Sequence, residues 1–129
     1  KAGIKASSIG SPIGKVDIKD ADKDFELFKH IVEIAKILDC GFIRIFSFYN
    51  AYDSKDEVIS ALKKMTDYAE KENIVLLHEN EKGIYGDNAE RCFEILSHFN
   101  FVYQRISYCQ SNYGILGPMA LENRIFPRC

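Results

Sequence analysis

The chain has 129 residues, 17 basic against 19 acidic side chains, a net charge of −2, and 47% hydrophobic and 28% charged residues. Those values describe one packed domain, and they exclude intrinsic disorder, collagen-like repeats and disulfide-dense miniproteins. No apolar run approaches the ~20 residues of a bilayer span, no N-terminal stretch reads as a signal peptide, and no basic stripe offers a surface to nucleic acid or anionic lipid. The expected setting is therefore cytoplasmic, with neither a membrane nor a nucleic acid as partner. The first residue is Lys1 rather than methionine, which leads us to expect a processed or partial chain.

Along the chain, Gly3 to Ile9 is a run of small and apolar residues that reads as a strand, and Gly10-Ser11-Pro12-Ile13-Gly14 has the turn chemistry to stop it. From Asp24 to Leu38 the residues Phe25, Phe28, Ile31, Val32, Ala35 and Leu38 recur at three- and four-residue steps, which predicts a helix, with Gly41 as its left-handed cap. Phe42 to Tyr49 is almost continuously apolar, as a strand covered on both faces would be. Ser54 and Glu57 have capping-box spacing and precede Val58, Leu62, Met65 and Ala69 on one helical face running to Glu72. Ile74 to Leu77 is a further buried strand. Asp87 with Glu90 predicts another capped helix, with Ala89, Cys92, Phe93 and Leu96 turned inward. Phe101 to Tyr108 is a weaker fourth strand, and residues 109 to 129 show no period. Short buried strands alternating with helices imply right-handed βαβ crossovers and a parallel sheet.

In such sheets, ligands bind at the carboxyl ends of the strands. His78, Glu79, Asn80 and Glu81 stand there after Leu77, and alternation puts Glu79 and Glu81 on one side, His78 and Asn80 on the other. A carboxylate in that place can bind a divalent metal or accept a proton from substrate, or can simply end a strand in solvent. Lys15 follows a glycine-bearing loop that fails the P-loop spacing, so its bland reading is a βα connection and its functional reading an anion contact. Arg44 is the lone charge in an apolar strand and should meet a carboxylate, Glu79 or Glu81. His30 and His98 fall on outer helix surfaces. Cys40, Cys92, Cys109 and Cys129 have no C-x-x-C or zinc-finger spacing and read as free thiols, the first two buried. Neither a G-x-S-x-G elbow nor a dinucleotide-type G-x-G-x-x-G is present.

Taken together, Ala6-Ser7-Ser8-Ile9-Gly10-Ser11-Pro12-Ile13-Gly14-Lys15, Ile43-Arg44-Ile45-Phe46-Ser47-Phe48-Tyr49 and Leu76-Leu77-His78-Glu79-Asn80-Glu81-Lys82-Gly83-Ile84-Tyr85-Gly86-Asp87 resemble the sugar phosphate isomerase/epimerase family with a xylose isomerase-like TIM barrel. The resemblance spans roughly residues 3 to 98. It implies an α/β fold, a partial (β/α)8 TIM barrel of about three to four parallel βα units, with residues 99 to 129 as an atypical tail of a single domain. It also implies a divalent metal (Mn, Mg, Co or Zn) bound by Glu, Asp, His and Glu from successive strand ends. Glu79 matches the first of these, as metal ligand and proton-transfer base. Lys15, His78, Asn80 and Glu81 would then face a small sugar or sugar phosphate.

The expected aspartate and histidine do not follow, because residues 99 to 129 contain neither. A whole barrel needs about 250 residues. The chain therefore reads as a half-barrel piece of a metal-dependent isomerase or epimerase, inactive by itself, with the inner faces of Ile43, Ile45, Val75 and Leu77 exposed and prone to self-association. The competing reading is a non-catalytic remnant that pairs with another chain or binds a small ligand. An endonuclease-IV-like phosphodiesterase would need several strand-end histidines where this chain offers only His78.

Overall fold

Three short strands each lead into a helix before the next strand begins, a succession that lays the strands side by side in parallel. The computed structural model describes residues 3–99 and, as backbone, the strand 106–109; the unperiodic stretch 110–129 lies outside the described residues. Strand β1 (Ile9–Gly10) is followed by a 3-10 turn and helix α1 (Ala21–Ile37), β2 (Phe42–Ile45) by α2 (Lys55–Lys71), and β3 (Val75–Glu79) by α3 (Ala89–Ser97), ending at β4 (Ile106–Cys109). The four strands form one parallel sheet in the order β1-β2-β3-β4. This is the α/β arrangement of a partial TIM barrel.

The helices form for identifiable reasons. In α2, Val58, Leu62, Met65 and Ala69 are all buried, as their spacing requires. In α1, Phe28, Val32 and Ala35 are fully buried and Phe25 and Ile31 partly so. Leu38 is exposed instead of inward, because the helix ends at Ile37 and Asp39, not Gly41, takes the left-handed conformation. Neither expected capping box forms. Ser54 occupies the N-cap of α2 without a side-chain hydrogen bond, and α3 starts one residue late, with the Asn88 side chain accepting from the Arg91 N–H. In α3, Cys92 and Leu96 turn inward as expected and Ile95 joins them fully buried, while Ala89 and Phe93 are exposed instead.

Register decides which strand residues meet the helices. Ile43 pairs with Leu76 and Ile45 with His78, and all four are fully buried against the helical layer. The opposite face carries Phe42, Arg44, Val75, Leu77 and Glu79, each partly exposed. The expected grouping of Ile43 and Ile45 with Val75 and Leu77 is thus corrected: these pairs lie on opposite faces, because a parallel partner set one residue over presents its other side. The first strand is also shorter than expected, two residues rather than the run from Gly3. Beyond it the chain runs beside the extension of β2, with Phe46 N–H donating to Ile13 O and Phe48 N–H to Gly14 O, both at 2.7 Å.

Gly14 is required there. Its φ is +83°, and a Cβ would stand 2.1 Å from the Phe46 carbonyl oxygen. Its N–H donates to Asp24 Oδ2 at 2.7 Å, so a carboxylate on α1 fastens the loop that carries Lys15. Asp24 is almost completely buried, and that burial raises its pKa above the usual carboxylate value while the Gly14 hydrogen bond opposes the rise.

Candidate active site at the strand ends

On the open face, the carboxyl ends of β2 and β3 bring opposite charges together. Arg44 Nη1 lies 3.1 Å from Glu79 Oε2, and Lys15 Nζ lies 2.6 Å from Glu81 Oε2. Arg44 therefore meets one of the two carboxylates expected for it. The Glu79 side chain is 17% exposed and that of Arg44 38%, so the pair lines a surface and is not sealed in a core. Both cations lean on one ring: Lys15 Nζ is 4.4 Å and Arg44 Cζ 5.1 Å from the Phe46 centroid. Phe46 is almost fully covered as a result. Each such ion pair or cation–π contact contributes under about 1 kcal/mol at this exposure, so the cluster is a weakly stabilised surface, free to rearrange.

Immediately behind, on the helix-facing side, His78 is completely enclosed and neither ring nitrogen has a hydrogen-bond partner among the described residues. Burial pushes its pKa down to about 4, so the ring is neutral at physiological pH. Gly86 makes room for it: a Cβ there would stand 2.7 Å from His78 Cε1 and 2.9 Å from Ser47 Oγ. The Gly86 N–H donates to Ser47 Oγ at 2.8 Å, and Cys92 Sγ donates to the Gly86 carbonyl at 3.2 Å. Asn80 and Glu81 continue past β3 as partly buried loop residues. Three residues after β2, Phe48 adopts φ 69°, a conformation costly for a bulky residue, with its side chain fully buried in the hydrophobic core.

A second polar network borders α3. Asp87 accepts from Tyr52 Oη and Arg91 Nη1, both at 2.6 Å, which is why Asp87 does not serve as the helix cap. Glu94 accepts from Lys55 and from the Tyr85 hydroxyl, and burial with that carboxylate contact pushes the Tyr85 pKa up to about 12. The open groove beside this network is lined by residues of α2 and α3 and their ends, among them Lys55, Arg91, Phe93 and His98, and not by Arg44, Glu79 or Glu81.

The strand-end site thus brings Glu79, Glu81 and Lys15 together with Arg44, and leaves His78 behind the sheet. Sequence reasoning missed Phe46, whose alternation with Arg44 was the available signal, and missed Asp24, Ser47 and Gly86, whose roles arise only across distant segments. His30 and His98 are exposed, and Cys40 and Cys92 are buried, as expected. Among the described residues no group of three His, Cys, Asp or Glu converges as a metal site. Glu79 fits one ligand of a divalent ion, and its oxygen is already engaged by Arg44, so these residues do not compose a complete site. Among the described residues no helix is long and apolar enough to cross a membrane.

No protein-family model and no curated protein matches the chain. Solved structures do share its fold. A probable 3-DHS dehydratase involved in petrobactin synthesis, from Bacillus anthracis, is 14% identical with a TM-score of 0.66, over 81% of this chain and 40% of the other. A xylose isomerase-like TIM barrel protein from Mycobacterium smegmatis, in complex with magnesium, is 12% identical with a TM-score of 0.65, over 82% and 40%. A xylose isomerase-like TIM barrel/4-hydroxyphenylpyruvate dioxygenase fusion protein gives 11% and 0.64, over 82% and 18%. The chain therefore spans two fifths or less of the proteins it is similar to, and the likeness establishes the barrel fold.

Proposed function

We propose that this chain supplies adjoining βα units of a sugar or sugar phosphate isomerase or epimerase that works at a divalent ion, Mn, Mg, Co or Zn. The observation that carries the reading is Glu79: a carboxylate at the end of β3, on the open face, oriented by Arg44. In this reading a Glu79 oxygen takes a proton from the hydroxyl-bearing carbon beside a substrate carbonyl and returns it to the carbonyl carbon, while the hydroxyl proton passes to the former carbonyl oxygen. A divalent ion, when bound, polarises the carbonyl and hydroxyl of the substrate. Glu79 would be one of its ligands, with others supplied from outside the described residues. Lys15, Asn80 and Glu81 face the substrate, and His78, enclosed behind β3, acts by positioning the strand end.

The magnesium in the Mycobacterium smegmatis structure supports the metal, and the fold shared with a probable dehydratase supports an enzymatic use of this fold. Isothermal titration with Mn2+ tests the reading. The parent chain should bind weakly, since one or two carboxylates leave an ion mostly hydrated, and Glu79→Gln should bind more weakly still. Equal affinities would remove Glu79 from the site.

A second reading is favoured by a separate observation: Leu27, Ile34 and Ile37 on α1, Leu38 just past its end, Phe93 on α3 and Phe42 on the open sheet face are all exposed. These are flanks that a closed barrel covers, and on this reading the chain associates with another copy or another chain, or holds a small ligand without chemistry. Analytical ultracentrifugation separates the readings. A monomer with measurable epimerisation of aldoses or ketoses would overturn the view that the chain needs a partner.

A further inference from the structure

We propose that Lys15 and Arg44, the two cations flanking Phe46, form the seat for an oxyanion on the substrate, a phosphate or a carboxylate, with Glu81 and Glu79 as internal counter-ions that this oxyanion replaces. The inference rests on the strand ends being the substrate mouth, and it adds the chemical class that the mouth receives.

Four observations carry it. Both cations are about one-third exposed, so a solute can reach them. Both lie against the same ring, at 4.4 and 5.1 Å from its centroid, which places them at most 9.5 Å apart, whereas Glu79 and Glu81 each answer one cation. Arg44 contacts Glu79 through Nη1, while its Nε is buried with no acceptor among the described residues. A guanidinium has five N–H donors in a fixed fork, and a doubly charged oxyanion can engage that fork at two points, the buried Nε among them only once the side chain turns outward from Glu79. Finally, Gly10 passes beside the guanidinium, where an added Cβ would rest 3.5 Å from Nη2, so the first strand approaches Arg44 with no side chain of its own between them.

The exchange is energetically accessible. Half-exposed ion pairs contribute little net free energy, so swapping one acceptor for another costs little. The resting cluster, two cations with two carboxylates, is neutral, which keeps the cations close before ligand arrives. Asp24, through the Gly14 N–H, fixes the loop that presents Lys15, so one side of the seat is preformed.

The test is titration of the full chain with inorganic phosphate at low ionic strength, followed by calorimetry and by phosphorus NMR, with malonate run in parallel to tell a phosphate seat from a carboxylate seat. Lys15→Ala and Arg44→Ala should each weaken binding by about fivefold, and Glu81→Gln and Glu79→Gln should tighten it by about threefold, because each removes a competing negative charge. Phosphate binding that is absent, or unchanged across the four variants, overturns the proposal, provided malonate behaves the same way. Should Arg44→Ala fail to fold, Lys15→Ala and Glu81→Gln decide the matter by their opposed signs. Glu79→Gln separates this inference from the metal reading, since it should weaken Mn2+ and tighten phosphate, and either effect can fail without the other.

Discussion

The two faces of the same pair of strands differ more than any two parts of the molecule. Toward the helices, Ile43, Ile45, Leu76 and His78 are sealed completely; toward the open side, Phe42, Arg44, Leu77 and Glu79 remain partly exposed one residue away. A strand places successive residues on alternate faces, so a single segment serves a core and a site at once. The buried face sets stability. The open face has weak, exchangeable contacts, and for that reason can be spent on ligand.

The largest expected effect lies on the sealed side. Phe28 is fully enclosed between α1 and the sheet, with its ring against Phe25 and Tyr68. Phe28→Ala should cost about 3–5 kcal/mol through lost burial and the cavity left behind. Urea unfolding followed by circular dichroism would measure it. A cost under about 1 kcal/mol would mean that the helical layer does not carry the fold.

His78 gives the next effect and a defined pH window. Its folded pKa is pushed down to about 4, against an ordinary value of 6.5, so between these values the unfolded chain binds the extra proton. Stability from this group is complete above about pH 6.5 and is lost progressively as the pH falls toward 4, by about 3 kcal/mol in all. Asp24 acts with the opposite sign. Its pKa is raised in the fold, so its protonation favours the folded chain, and that contribution fades as pH rises through its folded value. His78→Leu should flatten the acid limb between pH 6.5 and 4; a limb unchanged by the substitution would assign acid sensitivity to another group.

Much of the sealed face was legible in the sequence, because burial has a period. Val58, Leu62, Met65 and Ala69 needed only their spacing. The start of α3 was not legible, since it depends on Asp87 being claimed by Tyr52, 35 residues earlier in the chain, and by Arg91, which passes the cap to Asn88. Face assignment failed at β2 and β3 for a similar reason: alternation tells which residues of one strand share a face, but register between strands decides whether Ile43 joins Leu76 or Val75. The open site was half legible. An isolated Arg44 in an apolar strand announces a carboxylate partner, whereas Phe46 as a platform requires Lys15 to return from another loop, which no local pattern records.

Gly86 tests how tightly the two faces are joined at the strand ends. Gly86→Ala would press a methyl group to within 2.7 Å of His78 Cε1 and 2.9 Å of Ser47 Oγ, and neither side chain has open space behind it. The expected cost is about 1–3 kcal/mol by overpacking. Thermal melting would read it, and His78→Ala in the same chain should recover part of the loss by vacating the ring. Failure of that recovery would show that Ser47, rather than His78, sets the clearance.

The smallest expected effect is on the open face. Arg44 and Glu79 form an ion pair with side-chain exposures of 38% and 17%, for which solvent screening leaves a coupling below about 1 kcal/mol. A double-mutant cycle with Arg44→Ala, Glu79→Gln and the pair of substitutions should return that small value in urea unfolding, and 0.5 M NaCl should shrink it further. The size matters because the proposed chemistry needs the pair to open. A guanidinium locked to Glu79 by several kcal/mol could not yield the carboxylate to an ion or its own donors to an oxyanion, whereas a coupling below about 1 kcal/mol is within reach of even a weak ligand. A large, salt-insensitive coupling would therefore turn the strand-end charges into a structural clasp, and the contrast between the two faces of the sheet would disappear.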